Sequence, residues 1–591
     1  MTRRPPFPPP AAGLARSADE RLLGPPVVSP TVTVAGIGAA AARAVLAPAG
    51  SARRLAQIAL PVALLGWLVF APMRPPFSAA GFGWWAGLAS GCLTISGLLL
   101  LARVDWRCGI GRLAQTAALS ACLVALLHPA PGDRTALIAL TICALGLWAA
   151  ALVPDLADLR DRPEMLPWRS RLYRLAALRW HGSARQWLAW ERACRALALA
   201  GLLAAFALQT DLALTLAGLG DRSDTLLPVV LVVGAVLSGA GLIAALAAAL
   251  RRQPGFDGFV TGRHLDILGR LILALGLAGL YCHVTEAVVA GLYGSPLERA
   301  ALVERLSGAG APAFWTLMGV GLLPTQALWV GPARRSPVTL GLVGTLVALG
   351  AGAGHVLLVP PPATGYAAAL LAEIAGPAAL FGLALIAAFR LVPAVSVAEM
   401  RGLALLHNRR PIALPGEAAG PPPRAGLAAA FASEAGLVEA LRGLGTLDAV
   451  PLEAHGPAPM PEAAAALRRD ERAVREAALV GGALAGLAFL AAQTLQAPGG
   501  LGEIPALAWA RLAIPALAAA AAGAALGAGA ALARHLRRPT SAPPPDWREV
   551  FVLTLVPGTD NPSAGALARR LSALPEKAGR PLALRRAEPV S

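Results

Sequence analysis

Long apolar segments separated by short polar ones are the dominant pattern of this chain. Each apolar run has about 18 or more residues, enough for a helix to cross a hydrocarbon core of ~30 Å. The pattern predicts about twelve spans, near residues 55–72, 80–102, 111–130, 135–153, 194–217, 226–250, 268–291, 312–331, 337–358, 364–390, 477–497 and 508–533. The sequence therefore predicts an all-α polytopic membrane protein.

The last part of the chain has a different pattern, in which short strand-like and helix-like segments flank two apolar runs. The segments GLAAAFAS, EAGLVEALRGLG and LDAVPLEA predict a strand, a helix and a strand. After the apolar runs, the segments EVFVLTLV, SAGALARRLSAL and PLALRRA repeat that order. We expect the two βαβ halves to form one small ferredoxin-like α+β module, split by a transmembrane two-helix hairpin at about 477–533.

These patterns divide the chain into four parts. They are an N-terminal tail (1–54), a ten-helix membrane domain (55–400), a Pro/Gly-rich linker (401–425) and a C-terminal domain (426–588). Arginines are concentrated in the two tails and in alternate loops, and such loops stay in the cytoplasm. Both termini, the 154–193 loop and the α+β module are therefore predicted to be cytoplasmic, in a bacterial inner membrane.

The composition supports this interpretation and argues against other classes. The chain of 591 residues is 56% hydrophobic and 14% charged, whereas soluble domains carry about 25% charge. The net charge of +17 comes from loop arginines, a sign of membrane topology and not of nucleic-acid binding. The six cysteines form no CxxC or CxxCH motif, so we expect no haem, iron–sulfur cluster or metal in this chain.

The longest internal loop, about 154–193, interleaves arginines with Trp and Tyr residues. This mixture predicts one or two amphipathic helices at the membrane surface. Two roles remain open for such a segment. It could anchor the chain to lipid headgroups, or it could form a docking surface for a partner subunit.

Ionisable residues within the predicted spans are the candidates for chemistry, because each costs about 2.5–3.5 kcal/mol to insert. Seven such residues lie in or beside spans, all in the half predicted to face the periplasm: Asp211, His283, Glu286, His355, Glu373, His128 and Asp133. His283 and Glu286 share one helix face, where a carboxylate and an imidazole can accept and pass on a proton. For each residue, a hydrogen bond between helices is the alternative role.

Several stretches resemble the NrfD/PsrC-like family of membrane subunits, and most of all the ActC-type quinol-binding subunit of alternative complex III. They are VPDLADLRDR, RLYRLAALRWHGSARQW, GRHLDILGRLILA, APAFWTLM and RLVPAVSVAEM, within a resemblance over about residues 25–400. Residues 425–588 resemble the ActD-type subunit of the same complex. The chain thus looks like two neighbouring subunits fused into one.

The resemblance implies a fold of two four-helix bundles plus flanking helices, with no bound cofactor and a quinol site near the periplasmic side. By motif, it assigns quinol contact to His128, Asp133 and Glu286, and we add His283 and Asp211 as candidate quinol-binding residues. The expected partners are a periplasmic iron–sulfur or molybdopterin-like subunit, cytochrome c subunits and other membrane subunits. The substrate would be quinol.

The sequence also departs from the family pattern, because Asp211 stands near the place of another expected histidine and the loop between spans three and four is shortened. Ser90 stands where the family has a histidine in span two, and AGAG around Gly352 replaces a Trp-Leu-Glu-Arg motif in span nine. The leading expectation is a membrane subunit of a respiratory or photosynthetic quinol:cytochrome c or other acceptor oxidoreductase. The alternative is a non-catalytic scaffold that has lost the quinol pocket. A solute transporter is disfavoured, because no two broken helices stand out in corresponding positions.

Overall fold

The computed structural model describes most of the chain, and the statements below concern only the described residues. These are 27–29, 32–46, 55–62, 65, 77–128, 130, 132, 134–218, 226–253, 255–358, 366–408, 427–444, 452–467, 472–496, 506–538, 542–543, 547, 549–555, 569–574 and 581–585. The predicted first span is described only at 55–62 and 65, where it is helical. Asp133 and most of the predicted linker lie outside the described residues, as does the side chain of Glu373.

The described part of the chain is predominantly helical. The helices of the first 408 residues are α1 (Val34–Leu46), α2 (Phe77–Leu101), α3 (Gly111–Leu127), α4 (Thr135–Arg160), α5 (Pro167–Ala177), α6 (Ala184–Gly218), α7 (Leu227–Arg251), α8 (Gly262–Leu292), α9 (Pro296–Ser307), α10 (Ala311–Thr316), α11 (Gly331–Arg335), α12 (Pro337–Leu357), α13 (Tyr366–Leu391) and α14 (Val397–Asn408). The later elements are β1 (Ala428–Phe431), α15 (Glu434–Gly443), β2 (Leu452–His455), α16 (Pro461–Ala466), α17 (Ala473–Gln496), α18 (Ala506–Leu536), β3 (Phe551–Leu555) and β4 (Ala583–Arg585).

Eight of the described helices are long and apolar enough to cross a membrane: α2, α4, α6, α7, α8, α12, α17 and α18. Each corresponds to a span predicted from the sequence, and two further predicted spans match α3 and α13, whose apolar parts are shorter. A ninth crossing results if the bent segment that begins at α9 counts as one span. The chain is therefore a multi-pass membrane protein.

The predicted eighth span, near 312–331, is not one continuous helix. Helix α10 leads into a π-helical turn at Leu317–Leu322 and then a 3-10 helix at Leu323–Trp329. This segment is bent by 66° from α9. Pro324 lacks the backbone N–H that an α-helix needs, and π-helical turns commonly occur at functional sites. The hydropathy of the segment predicted a span but could not predict this change in backbone hydrogen bonding.

Glycines allow the central helices to cross in close contact. Helix α2 crosses α7 where a Cβ added to Gly91 would lie 1.8 Å from the carbonyl oxygen of Ala235. A Cβ added to Gly350 of α12 would lie 2.3 Å from the Cα of Gly321. Small residues permit this approach in membrane proteins, where packing between helices takes the place of the hydrophobic effect. The GAGAG segment that contains Gly350 therefore serves helix packing.

Helix α4 continues through Pro154, beyond the boundary predicted from the sequence. A proline inside a helix leaves the carbonyl group four residues earlier without its usual donor. That carbonyl belongs to Ala150, and the indole Nε1 of Trp190 donates to it at 2.9 Å. Because α6 also begins earlier than predicted, the 154–193 loop is reduced to one short helix, α5, with its flanking turns.

The four strands form one sheet in the order β2-β3-β1-β4, in which every neighbouring pair is antiparallel. On β1, Ala429 lies opposite Leu553 of β3 and Leu584 of β4. Helix α15 connects β1 to β2, and the hairpin of α17 and α18 separates β2 from β3. The two halves predicted from the sequence therefore pair with each other in one sheet.

The hairpin joins the membrane domain mainly through one of its helices. Helix α18 packs in the groove between α4 and α6, and the Sγ of Cys143 on α4 lies 3.6 Å from the carbonyl oxygen of Ala521. Helix α17 packs on α18 and leaves Leu484 and Leu487 exposed. An exposed apolar face on a membrane-spanning helix is the face expected to contact lipid.

Chain direction defines two ends of the helical bundle. We call the end where α4 and α7 finish and α6 and α8 begin the sheet end, because the β-sheet packs there through a bridge between His455 and Ser183. The opposite end, where α6, α8 and α12 finish and α7 begins, is called the cavity end.

Two features near the predicted domain boundaries differ from the sequence expectation. The predicted N-terminal tail contains α1, whose Ile37 and Ala41 are buried in a cluster with residues of α14 such as Met400. Helix α14 runs to Asn408, which lies within the predicted linker. Both helices are too short to span a membrane, and their buried residues pack against distant parts of the chain.

Candidate functional site

A large cavity lies at the cavity end and has a volume of about 630 Å³. Its walls come from the start of α7, the ends of α8 and α12, and the bent segment from α9 to Leu322. Most lining side chains are apolar, with His283, Glu286, Glu298, Arg305 and His355 as the exceptions that can ionise. A mostly apolar cavity of ~300–1,000 Å³ with a few polar groups is typical of a small-molecule site.

Small residues on the surrounding helices leave this space open. Gly234, Gly279, Gly321 and Gly354 all line the cavity. A Cβ added to Gly234 would meet no heavy atom of the described chain within 4 Å. Gly91 at the helix crossing presents the opposite case, because a Cβ there would overlap the partner backbone. Glycine therefore serves close packing in one place and opens a cavity in the other.

Glu286 is the centre of the polar cluster in this cavity. Its Oε1 accepts a hydrogen bond from the guanidinium of Arg305 on α9, and the two side chains form an ion pair. The other oxygen, Oε2, lies 3.9 Å from Nδ1 of His283, one turn earlier on α8. About a fifth of each of the three side chains is exposed. This arrangement offers a carboxylate oxygen and an imidazole nitrogen to a hydroxyl group in the cavity.

His355 reaches the same cavity from α12. Its Nδ1 lies 3.0 Å from the carbonyl oxygen of Ala351, so Nδ1 carries the proton and Nε2 is an acceptor. Among the described residues, Nε2 has no hydrogen-bond partner. The ring packs against α2, where a Cβ on Gly83 would lie 2.6 Å from Cδ2 of His355. Glycine at position 83 therefore provides the room that this imidazole occupies.

The other residues predicted for the site lie outside this cavity or outside the described chain. His128, at the end of α3, is buried, and its Nδ1 lies 3.0 Å from the carbonyl oxygen of Val124. Asp211 lies in the second half of α6 and is partly buried. Both occupy the cavity end, yet neither lines the cavity. Asp133 is outside the described residues, so the structure brings together only His283 and Glu286 of the five.

Two residues of the cluster were not assigned to the site from the sequence. Arg305 was not among the candidates, and His355 was one of the seven ionisable candidates but was not assigned to quinol binding. The amphipathic pattern of the 296–307 segment could have indicated that Arg305 faces the protein. No sequence rule pairs it with Glu286, because α8 and α9 are joined by a turn whose direction only the fold defines.

Ser90 and Gly352, two of the positions that depart from the expected family pattern, have local structural explanations. Ser90 is buried, donates to the carbonyl oxygen of Gly87 at 3.0 Å, and accepts a bond from Nε2 of Gln209 at 2.7 Å. A Cβ on Gly352 would lie 3.2 Å from the Trp84 ring, so glycine there lets the indole pack flat on α12. Both positions are therefore occupied by residues that satisfy helix packing.

The sheet end contains a second group of charges, and these are paired. Arg112 and Asp155 form an ion pair at 2.6 Å in which both side chains are almost completely buried. The other oxygen of Asp155 accepts from the backbone N–H of Ala398 at 3.0 Å. Asp158 pairs with Arg401 at 2.8 Å. Arginines that the sequence suggested as loop charges thus hold α3, α4 and α14 together.

The sheet docks on this end through backbone and side-chain bonds. The N–H of Gly456 donates to the carbonyl oxygen of Gly182 at 3.0 Å, and Nε1 of Trp187 donates to the carbonyl oxygen of Gly456 at 3.2 Å. Gly182 has a φ of +69°, a conformation that favours glycine. His455 is buried in the same contact, and burial lowers its pKa from 6.5 to about 3.

No group of three or more His, Cys, Asp or Glu side chains in the described part of the chain is placed to hold a metal ion. The six cysteines are buried and unpaired with one another. Comparison with protein-family models finds no match, and no curated protein matches the chain.

Proposed function

We propose that this chain is a quinol-binding membrane subunit of a quinol-oxidising electron-transfer complex, similar to alternative complex III. The observation that carries the proposal is the 630 Å³ apolar cavity that contains Glu286 and His283, the two neighbouring residues chosen from the sequence for proton transfer. A quinol is an apolar ring with two hydroxyl groups, so it needs an apolar enclosure with a few acceptors.

The residues of the cavity have distinct roles in this proposal. Oxidation of a quinol releases two protons and two electrons. Glu286 accepts the two hydroxyl protons in turn, and His283, 3.9 Å away, passes each of them towards the aqueous side. His355 forms part of the opposite wall. The electrons pass to an iron–sulfur cluster of a partner subunit and then to a cytochrome c or another acceptor.

The proposal includes the orientation of the chain in the membrane and its division into two fused units. With both termini in the cytoplasm of a bacterial cell, the sheet end is cytoplasmic and the cavity faces the periplasmic half of the inner membrane. The arginine-rich sheet end supports this orientation. The antiparallel order β2-β3-β1-β4 supports a ferredoxin-like module, and together with the hairpin it supports an ActD-type unit fused to an ActC-type one.

A non-catalytic scaffold is the second candidate, and one observation favours it. Glu286 is already paired with Arg305, as it would be in an ion pair that serves only the fold. In a scaffold, the cavity would hold lipid, and the chain would contribute only contacts to its complex.

The test is the Glu286→Gln variant, purified with its partner subunits and assayed for quinol oxidation. Loss of a positioned proton acceptor should lower turnover by about 10²–10⁴-fold, with assembly unchanged. Glu191→Gln is the matched control, because Glu191 also pairs with an arginine, Arg195 at 2.9 Å, but lies at the sheet end.

The outcomes separate the two candidates. Co-purification of an iron–sulfur subunit and a cytochrome with an active wild type supports the quinol subunit. Equal turnover in the wild type and Glu286→Gln would remove this glutamate from the mechanism. An intact wild-type complex that oxidises no quinol would favour the scaffold.

A further inference from the structure

Helix α9 covers the cavity but is only loosely built into the protein. Every residue of α9 is at least partly exposed, although Leu297, Leu302 and Arg305 line the cavity beneath it. The helix is well formed on its own, since Ser295 and Glu298 make a reciprocal capping box at its first turn. It is thus a stable helix with little burial, which favours movement as a unit.

Turns with glycine bound α9 on both sides. Gly294 follows the end of α8 so tightly that a Cβ there would lie 2.3 Å from the carbonyl oxygen of Ala290. Gly308 and Gly310 separate α9 from α10. Hinges are commonly a few residues at element ends that absorb the change in backbone angles. The two turns therefore allow α9 to pivot without unfolding.

The α8 side of the cavity rim is apolar and exposed, whereas Ser295 and Glu298 lie on the α9 side. Val289, Tyr293 and Leu297 line the cavity and are also 50%, 82% and 64% exposed. They continue the exposed stripe of Val284, Val288 and Leu292 on α8. In a membrane, such a stripe faces lipid. The α8 side of the rim thus meets the bilayer.

The ion pair between Arg305 and Glu286 connects α9, the cover of the cavity, to α8 of the bundle across this rim. We propose that the cavity takes an apolar substrate dissolved in the membrane, which enters between α8 and α9, and that Arg305 is a positioning residue that latches the cover. This deepens the proposed function, on which the assignment of a quinol as that substrate rests. When the latch opens, the carboxylate of Glu286 becomes available to a substrate hydroxyl.

Access to the cavity can be measured without any turnover. Ala351 lines the cavity wall, and an Ala351→Cys variant in liposomes presents a thiol there. We expect an apolar maleimide to label it at least about ten times faster than a charged, membrane-impermeant maleimide. The parent chain gives the background from its six buried cysteines.

The latch is tested in the Ala351→Cys background. Arg305→Gln should raise the rate of apolar labelling about fivefold, as loss of one partly buried ion pair predicts. Arg299→Gln is the matched control, since Arg299 is exposed on the same helix and does not line the cavity. Arg305→Lys, and the exchange Glu286→Arg with Arg305→Glu, should restore slow labelling because they keep an ion pair.

Two results would overturn the inference. Faster labelling by the charged reagent would show an aqueous opening, and equal rates for Arg305→Gln and Arg299→Gln would show that Arg305 is no latch. Because labelling needs no quinol, failure here leaves the turnover test of the proposed function intact. Conversely, the expected labelling pattern in a complex that oxidises no quinol would support an apolar site but contradict quinol as its substrate.

Discussion

The two ends of the helical bundle each contain an arginine–carboxylate ion pair, and the two pairs differ in burial. At the sheet end, Arg112 and Asp155 are buried against each other, and the carboxylate also binds the backbone of α14. At the cavity end, Glu286 and Arg305 pair at the rim of an open apolar space. One pair is enclosed by the fold, and the other is held between the fold and a movable helix.

This contrast distinguishes the charged residues that hold the bundle together from those that line the candidate binding site. Most of the stretches that resemble the NrfD/PsrC-like family lie at the sheet end, where their charged residues pair across α3, α4 and α14. A resemblance based on them therefore concerns how the bundle is assembled. The cavity end holds the candidate binding site, and the role proposed for it rests on the cavity itself.

The largest expected effect is the loss of the enclosed pair. Asp155→Asn leaves the guanidinium of Arg112 buried without its charge partner, which costs about 3–5 kcal/mol in the free energy of unfolding. Asp161→Asn, in the partly exposed pair with Arg160, should cost less than about 1 kcal/mol. Denaturation in mixed micelles measures both. Similar losses for the two variants would contradict the enclosed character of the sheet end.

The next largest effect contrasts two glycines. Gly91→Ala forces α2 and α7 apart, and overpacking of this kind costs about 1–3 kcal/mol. Gly234→Ala places its methyl group in the cavity and should leave stability unchanged or raise it by up to ~1 kcal/mol. The melting temperatures of the two variants provide the measurement. A destabilised Gly234→Ala protein would show that the cavity is smaller than described.

Lowering the pH is expected to have a smaller effect on the free energy of unfolding, through His455 at the sheet end. Because burial lowers the pKa of His455 to about 3, the unfolded chain binds more protons than the folded one between pH 3 and 6.5. The stabilisation from neutral His455 is complete above pH 6.5 and is lost as the pH falls towards 3. Hydrogen exchange of β2 and β3 amides at pH 7 and pH 5 should reveal this loss, and His455→Gln should reduce it.

The smallest expected change is in the stability of the Glu286→Gln variant. The ion pair with Arg305 is partly exposed, and Arg305 lies on α9, a helix without buried residues. Loss of the pair should therefore lower the free energy of unfolding by at most about 1 kcal/mol. The same denaturation assay measures it beside Asp155→Asn. A loss as large as that of Asp155→Asn would make Glu286 a structural residue and favour the scaffold.

The sequence alone determined the features that depend on local pattern. Eight predicted spans, the C-terminal hairpin, the strand–helix–strand order before it and the two strands after it all follow from the spacing of apolar residues. Hydropathy and periodicity are properties of a window of residues, and each span satisfies its backbone hydrogen bonds within itself. His283 and Glu286 could be placed on one face for the same reason.

Only the tertiary structure decided which residues meet. Arg107 pairs with Glu399 across 292 positions, and Trp190 replaces the donor that Pro154 lacks. The cavity, the broken segment beside it and the pairing of Arg305 with Glu286 likewise depend on the direction of turns and on the approach of distant helices. These are properties of packing between elements, which no window of the sequence contains.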